Sequence, residues 1–282
     1  GLRLGPRLGR RGTFLTMYVH GLRSIFGLGR RATSKIFPFA LAIFAFVPAI
    51  IQLGVAAVIS GVDQHVDLFK HEDYFGFIRI ILILFCAAVA PELVGRDQRN
   101  RTLSLYFSRA VSRRDYTLCK YAALVTAMLF LTLGPQLLLY IGNGMAADDL
   151  KGYASDNADL ILPIIAASFL LSGVIAAVGL VIAAYLPRRA YSTATIVGVF
   201  IVTAAVGHIV METASASVGR WTLLISPNAW EGVTLWLFGV TPDPATDLAK
   251  ANFSGWVYLA AILVIVVVSL AATLRRFVKV TT

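Results

Sequence analysis

The sequence predicts an all-α polytopic membrane protein with six transmembrane helices. Of its 282 residues, 58% are hydrophobic and only 14% are charged, and the mean hydropathy is +0.77. Soluble domains carry about a quarter charged residues, so this composition argues against a soluble globular fold. The second observation is a set of six apolar runs, each near the roughly 20 residues that a bilayer core requires. The predicted spans are residues 36–59, 77–94, 116–141, 160–186, 191–211 and 256–274.

Residues 1–35 form a basic N-terminal segment that precedes the single transmembrane domain predicted for residues 36–282. The segment has eight Lys and Arg residues and no acidic residue. Apolar residues recur in it at helical spacing, from Phe14 and Tyr18 to Leu22 and Ile25. This pattern is typical of a helix that lies in the inner membrane interface with its cations on lipid phosphates. No secretory signal is predicted, because the first apolar run is too long.

The charges between the spans predict how the chain is oriented. Twenty of the 25 Lys and Arg residues lie in the N-terminal segment, in residues 95–120 after the second span, in the turn after the fourth span and in the C-terminus. Twelve of the 15 acidic residues lie in the other connections. Because cytoplasmic loops are enriched in Lys and Arg, both termini and the loop at 95–115 are predicted to be cytoplasmic. The net charge is +10, but the basic residues are spread over several short connections between apolar runs. They do not form the continuous basic face that binding of nucleic acid requires.

The cytoplasmic loop at 95–115 carries the most specific pattern in the sequence. Glu92 lies near the end of the second span, and a basic link follows it. The apolar residues at positions 103, 106, 107, 110 and 111 share one helical face, which predicts a short amphipathic helix at the membrane surface. Ser112 followed by Asp115 matches a capping box at the start of the third span.

The connection between the fifth and sixth spans, residues 213–254, is the second unusual segment. It contains Trp221, Trp230 and Trp236 and few charges, and it is too short and interrupted to cross a bilayer twice. It is also too apolar for an ordinary loop. We therefore expect short helices that enter the outer leaflet, with aromatic anchors at the interface.

The order of residues in the cytoplasmic loop resembles that of permease subunits of type-2 ATP-binding-cassette (ABC) exporters. Those subunits have a Glu, then Gly-Thr-Leu, then Ser-x-Pro-Val-Ser-Arg, and a Gly-Lys before the third helix. This chain keeps that order, but Arg101, Ala110 and Cys119 replace the Gly, the Pro and the second Gly. The family also has a re-entrant outer hairpin at the position of residues 213–254, often introduced by a Ser-Pro such as Ser226-Pro227.

The resemblance implies a permease subunit of an ATP-driven transporter in the bacterial inner membrane, with a lipid-like, drug-like or other amphipathic substrate. It implies two cytoplasmic ATPase subunits that grip the loop helix (the coupling helix), and a second copy of the chain or a related permease. ATP and Mg²⁺ would bind to the ATPase subunits, and this chain would bind no cofactor. The residues implied to couple to the ATPase are Glu92, Arg96, Arg99, Arg101, Leu103, Leu105, Tyr106, Phe107, Ser108, Arg109, Ser112 and Arg113.

The sequence carries no motif of an enzyme. It has no G-x-x-x-x-G-K-[ST] phosphate loop, no G-x-S-x-G, no H-E-x-x-H and no C-x-x-C. The chain is therefore predicted not to be an enzyme by itself. Its two cysteines, Cys86 and Cys119, lie in predicted spans on either side of the basic loop and indicate neither a disulfide framework nor a metal site.

Polar residues in or beside the spans are candidates for a substrate path, because their burial in lipid is unfavourable. These candidates are Gln52, Gln136, His208 and Glu212. His208 and Glu212 lie four residues apart on one helix face. They could form a metal or proton site, or an interhelical hydrogen bond or interfacial ion pair. No metal site is predicted in the chain.

Three other functions stay open. A secondary transporter or channel that needs no ATPase would require ionisable groups in mid-membrane or paired discontinuous helices, and the spans contain almost no ionisable groups. A membrane scaffold that recruits cytoplasmic partners would explain the basic loop but not the aromatic outer segment. Within the family, permeases for the maturation of extracytoplasmic metalloenzymes have similar helices.

Overall fold

The computed structural model of the chain describes residues 9–27, 33–59, 70–99, 112–146, 150–213 and 216–279. These described residues are mostly helical and include no strand. In this part of the chain, six helices are long and apolar enough to cross a membrane, which confirms the prediction of a multi-pass membrane protein. In chain order the helices are α1 (Arg10–Ile25), α2 (Thr33–Ile59), α3 (His71–Ala90), α4 (Arg96–Arg99), α5 (Arg113–Ala146), α6 (Leu150–Asp156), α7 (Ile161–Tyr185), α8 (Arg189–Thr213), α9 (Ala216–Leu223), α10 (Asn228–Leu237), α11 (Asp247–Ala251) and α12 (Gly255–Lys279).

The second long helix begins earlier than the hydropathy pattern predicts. α3 starts at His71, six residues before the predicted span. Its first turn contains Glu72 and Asp73, and acidic side chains are stabilised there by the positive end of the helix dipole. The apolar run therefore marks only the part of the helix that a bilayer can cover, while the helix itself continues through its charged first turn.

The long helices α2, α3, α5, α7, α8 and α12 cross the bundle in alternating directions, which gives it two ends. We call the end where α3 stops and α5 starts the basic end, because the basic loop joins these two helices. The other end is called the opposite end. It holds the start of α3 and the short helices α9 to α11.

The interior of the bundle is formed by α3, α5 and α7. In the most apolar stretch of each of these three helices, between 50% and 67% of the residues are buried inside the protein. The corresponding share is 22% for α8 and for α12. Small residues let α7 approach α3 closely, since a Cβ on Gly179 would lie 2.1 Å from the sulfur of Cys86. The helices α8 and α12 leave most of their apolar surface on the outside, as solvation by a bilayer requires.

The N-terminal helix α1 packs against α5. The hydroxyl of Tyr18 contacts that of Thr126 on α5 at 2.8 Å. Ile25 is buried, whereas Leu15 is 59% exposed, so the protein covers only part of the predicted apolar stripe. The predicted helix is confirmed, and its position in the membrane interface stays a prediction.

The segment 213–254 contains the short helices α9, α10 and α11 in its described part. Trp230 on α10 packs edge-on against Phe200 of α8, with 5.3 Å between ring centroids. Trp236 lies 4.7 Å from Trp256 at the start of α12. Short helices with aromatic contacts are therefore present as predicted, and a re-entrant course within the membrane stays a prediction.

Candidate functional site

Most of the predicted coupling helix lies outside the described residues. The stretch 100–111 contains the predicted coupling residues Arg101, Leu103, Leu105, Tyr106, Phe107, Ser108 and Arg109. Arg96 and Arg99 belong to α4, but the description does not extend to their side chains. The structure instead describes the two points at which the loop joins the bundle.

The loop ends at the start of α5, where the structure confirms the capping box that the sequence predicts. The amide of Asp115 donates to the Ser112 hydroxyl at 3.1 Å, and the amide of Ser112 donates to the Asp115 carboxylate at 3.4 Å. Arg113 is the first residue of α5. This reciprocal pair satisfies two amides at the helix start and fixes the direction in which the chain enters α5.

The chain enters the loop through a π-helical segment, Pro91–Gly95, which directly follows α3. Pro91 has no amide hydrogen, so a regular helical hydrogen bond cannot form at its nitrogen. The carbonyl of Leu93 accepts a hydrogen bond from Nζ of Lys120 on α5 at 3.1 Å. Single π-helical turns are rare and occur frequently at functional sites, which makes this segment a candidate.

A buried ion pair joins the two ends of the loop. Asp97 on α4 and Lys120 on α5 lie 2.8 Å apart, measured between a carboxylate oxygen and Nζ. The hydroxyl of Tyr116 donates to the same carboxylate at 2.8 Å. The side chains of Lys120 and Asp97 are only 6% and 17% exposed, so water screens this pair weakly. Loss of either partner would leave the other charge buried without compensation.

Glu92 connects the same region to the turn between α7 and α8. Its carboxylate lies 3.3 Å from the guanidinium of Arg189 at the start of α8. The sequence spacing would also allow Glu92 to pair with Arg96 four residues on, or with a basic group of a partner protein; both stay predictions, because the side chain of Arg96 lies outside the description. Gly95 also faces this turn, since a Cβ there would lie 2.9 Å from the carbonyl oxygen of Pro187.

We call the group Glu92, Leu93, Asp97, Tyr116, Lys120 and Arg189 the loop root. It links the end of α3 to α4, α5 and α8, and the ring of Tyr116 also packs edge-on against Phe277 of α12 at 5.3 Å. The sequence does not predict Asp97 or Arg189 as site residues. A signal exists for Asp97, which is one of three acidic residues on the predicted cytoplasmic side.

The two glutamines proposed for a substrate path are buried inside the bundle. Gln52 is 1% exposed and Gln136 is 0% exposed. Gln136 donates from Nε2 to the carbonyl of His71 at 3.0 Å, and its Oε1 lies 2.5 Å from Nδ1 of the same residue. These contacts explain how the bundle accommodates the Gln136 amide. A role of either glutamine in transport stays a prediction.

His208 and Glu212 each contact a residue of α11 that the sequence does not predict. Nδ1 of His208 lies 2.8 Å from the Asp247 carboxylate, and the Glu212 carboxylate lies 2.5 Å from Nζ of Lys250. The Glu212 carboxylate raises the pKa of Lys250 by accepting its hydrogen bond and by charge attraction. The ligand atoms of His208, Glu212 and Asp247 lie within 4.8 Å of one another, but a metal ion there would compete with Lys250. The arrangement is an exposed charge network that joins α8 to α11.

Comparison with known proteins adds no family assignment. No protein-family model matches this chain, and no curated protein matches it.

Proposed function

We propose that this chain is the permease subunit of an ATP-driven transporter of the type-2 ABC class, and that it exports a lipid-like, drug-like or other amphipathic substrate. The six membrane-length helices and the order of residues in the basic loop support this proposal. Two separate ATPase subunits bind ATP and Mg²⁺ on the cytoplasmic side. The assembly contains a second copy of the chain or a related permease, in the bacterial inner membrane with both termini cytoplasmic.

The observation that carries the proposal is the loop root. The residues that would contact the ATPase lie between α4 and α5, and the Asp97–Lys120 pair holds these two helices together. A force on the loop therefore acts on both helices, because separating them would expose or isolate buried charge. The Glu92–Arg189 contact extends the connection to α8. Transmission of a rigid-body movement from a motor subunit requires a connection of this kind.

In the proposed mechanism, ATP binding closes the two ATPase subunits, and each carries the helix at 103–111 with it. The loop root transmits this displacement, so that α3 and α5 tilt together within the bundle. ATP can drive the change only if the closed ATPase pair binds one arrangement of the helices more tightly than the other.

The first test is whether a reading frame with a G-x-x-x-x-G-K-[ST] phosphate loop adjoins the gene of this chain. The ATPase encoded there is then purified in detergent together with the chain, and ATP hydrolysis and transport are assayed. The double change Tyr106→Asp, Phe107→Asp should abolish assembly with the ATPase or its stimulation, because it places two charges on the apolar face of the coupling helix. The matched control Tyr106→Phe, Phe107→Leu keeps that face apolar and should behave as the wild type does. Normal assembly, hydrolysis and transport in the Asp variant would overturn the proposal.

A further inference from the structure

Three side chains that can bind a metal ion meet at the opposite end of the bundle, where α8 approaches α11. His208 and Glu212 lie on one face of α8, and Asp247 is the first residue of α11. One ligand atom from each side chain lies within 4.8 Å of the other two. Three atoms this close leave a point within about 2.8 Å of all of them, and zinc bonds to nitrogen and oxygen ligands measure about 2.0–2.2 Å. Small side-chain movements would therefore bring all three atoms within coordination distance of one ion.

An apolar cluster beside these side chains holds the two helices together. Met211 on α8, Leu223 on α9 and Ala251 on α11 are buried against one another. Met211 lies three residues after His208 and therefore on the same side of α8. The relative position of α8 and α11 thus does not depend on ionic contacts alone, and ligands that packing has already positioned need little rearrangement to bind an ion.

The charges of this group attract a cation. Glu212 and Asp247 supply two carboxylates, and the Asp247 side chain is only 12% exposed. Nζ of Lys250 lies 2.5 Å from the Glu212 carboxylate, and the Asp247 carboxylate also attracts this ammonium group. A positive group therefore already lies among the ligands, which is an observation independent of the distances between them. Lys250 offsets only one of the two carboxylates, so the group stays negative when His208 is neutral.

The side chain of Lys250 can give way to a metal ion. It is 44% exposed, and the flexible stem of a lysine lets its charged end turn towards water. An exposed ion pair of this kind contributes little to stability, so its loss costs little. A divalent ion would bring two positive charges where the ammonium brings one, and it would contact all three ligand atoms. The ion therefore has an advantage over Lys250 in the competition for Glu212.

We propose that His208, Glu212 and Asp247 form a binding site for a divalent transition-metal ion such as Zn²⁺. Nδ1 of His208 and one oxygen of each carboxylate coordinate the ion, and water completes its coordination. The imidazole nitrogen favours a transition metal over Ca²⁺ and Mg²⁺, which prefer oxygen ligands. The bound ion joins α8 to α11 more firmly than the Lys250–Glu212 pair does. The inference goes beyond the proposed function, because binding of the ion requires no ATPase.

The test is isothermal titration calorimetry of Zn²⁺ with the purified full-length chain in maltoside detergent, after removal of any histidine tag. The expected result is one bound ion per chain. Zn²⁺ should also raise the denaturation midpoint, because a ligand that binds the folded state stabilises it. Mg²⁺ and Ca²⁺ at the same concentration should not displace Zn²⁺, since the site offers them too few oxygen ligands.

Four variants locate the site. His208→Ala and Asp247→Asn should each weaken Zn²⁺ binding on the order of tenfold or more, because each removes one of three ligands. Lys250→Met should strengthen binding by a few-fold, because it removes the ammonium group that competes for Glu212. His20→Ala is the matched control, since it removes an exposed histidine of α1 outside the site, and it should leave binding unchanged.

The opposite effects expected from these variants separate a lost ligand from a damaged protein, because misfolding cannot make Lys250→Met bind more tightly. Three results would each overturn the inference. The first is the absence of Zn²⁺ binding at about millimolar concentration. The second is equal binding by His208→Ala, Asp247→Asn and the His20→Ala control. The third is a Lys250→Met variant that binds Zn²⁺ no more tightly than the wild type does.

Discussion

The two ends of the bundle both hold oppositely charged side chains in contact, but in different surroundings. At the loop root, Lys120 and Asp97 are 6% and 17% exposed, whereas Lys250 and Glu212 at the opposite end are 44% and 50% exposed. Water and salt screen the exposed pair, while the buried pair is screened weakly and is costly to break. The difference teaches that the Asp97–Lys120 pair is costlier to break than the Lys250–Glu212 pair.

This contrast agrees with the division of work in the proposed function. In the proposed function, a motor that pulls on the loop would need a connection that does not yield, and the buried Asp97–Lys120 pair would be part of it. The exposed Lys250–Glu212 pair can rearrange at little energetic cost. Three changes to the protein would break or sharpen the comparison.

The largest effect is expected from Lys120→Met, which leaves the buried carboxylate of Asp97 without its counter-charge. Removing one partner of a buried pair costs about 3–5 kcal/mol, and the partial exposure of Asp97 places the expected loss of unfolding free energy near the lower value. Thermal denaturation of the purified protein in detergent measures the loss. ATPase stimulation should fall together with stability.

The double variant Asp97→Asn, Lys120→Met serves as the control, because it removes both charges and should recover part of the stability. An unchanged denaturation midpoint in Lys120→Met would show that the pair is not a stiff connection. Equal loss in the single and double variants would assign the effect to packing of the lysine side chain instead.

A smaller effect is expected from Gly95→Ala at the end of the π-helical segment. A Cβ at this position would lie 2.9 Å from the carbonyl oxygen of Pro187, so the α7–α8 turn must move. Overpacking of this kind costs about 1–3 kcal/mol. Gly198→Ala on α8 is the matched control, because a Cβ there has no atom within 4 Å. Equal denaturation midpoints for the two variants would contradict a close contact at Gly95.

The smallest effect is expected from Lys250→Met at the opposite end. Its ion pair with Glu212 is exposed to solvent, so the denaturation midpoint should stay within the scatter of the measurement at physiological salt. At low salt the ion pair is screened less, so the denaturation midpoint of Lys250→Met should then fall measurably below that of the wild type. A loss as large as that of Lys120→Met would remove the difference between the two ends.

The six helices could be predicted from the sequence because each depends on a local property, the length of its apolar run. The capping box at Ser112 and Asp115 is predictable for the same reason, since its partners lie three residues apart. The start of α3 is missed because a hydropathy pattern ends at charges that a helix dipole can accommodate.

The ion pairs could not be predicted, because they depend on which helices become neighbours. Glu92 is a candidate in the sequence, but its contact Arg189 lies in another turn of the chain. His208 and Glu212 are placed together correctly on α8, yet each contacts a residue of α11 that is 38 or 39 positions away. The amphipathic pattern at 103–111 is clear in the sequence, and its helix and its partner stay predictions.

The π-helical segment Pro91–Gly95 also sets the direction, around the axis of α3, in which the residues after it point. Each residue of an α-helix advances the chain by about 100° around the axis, and a π-helical turn holds an additional residue before the backbone closes its hydrogen bond. The side chains beyond Gly95 are therefore rotated relative to an uninterrupted α3. Deleting one residue here would turn Asp97 about a quarter of a revolution away from Lys120, even though every apolar residue of the span was retained.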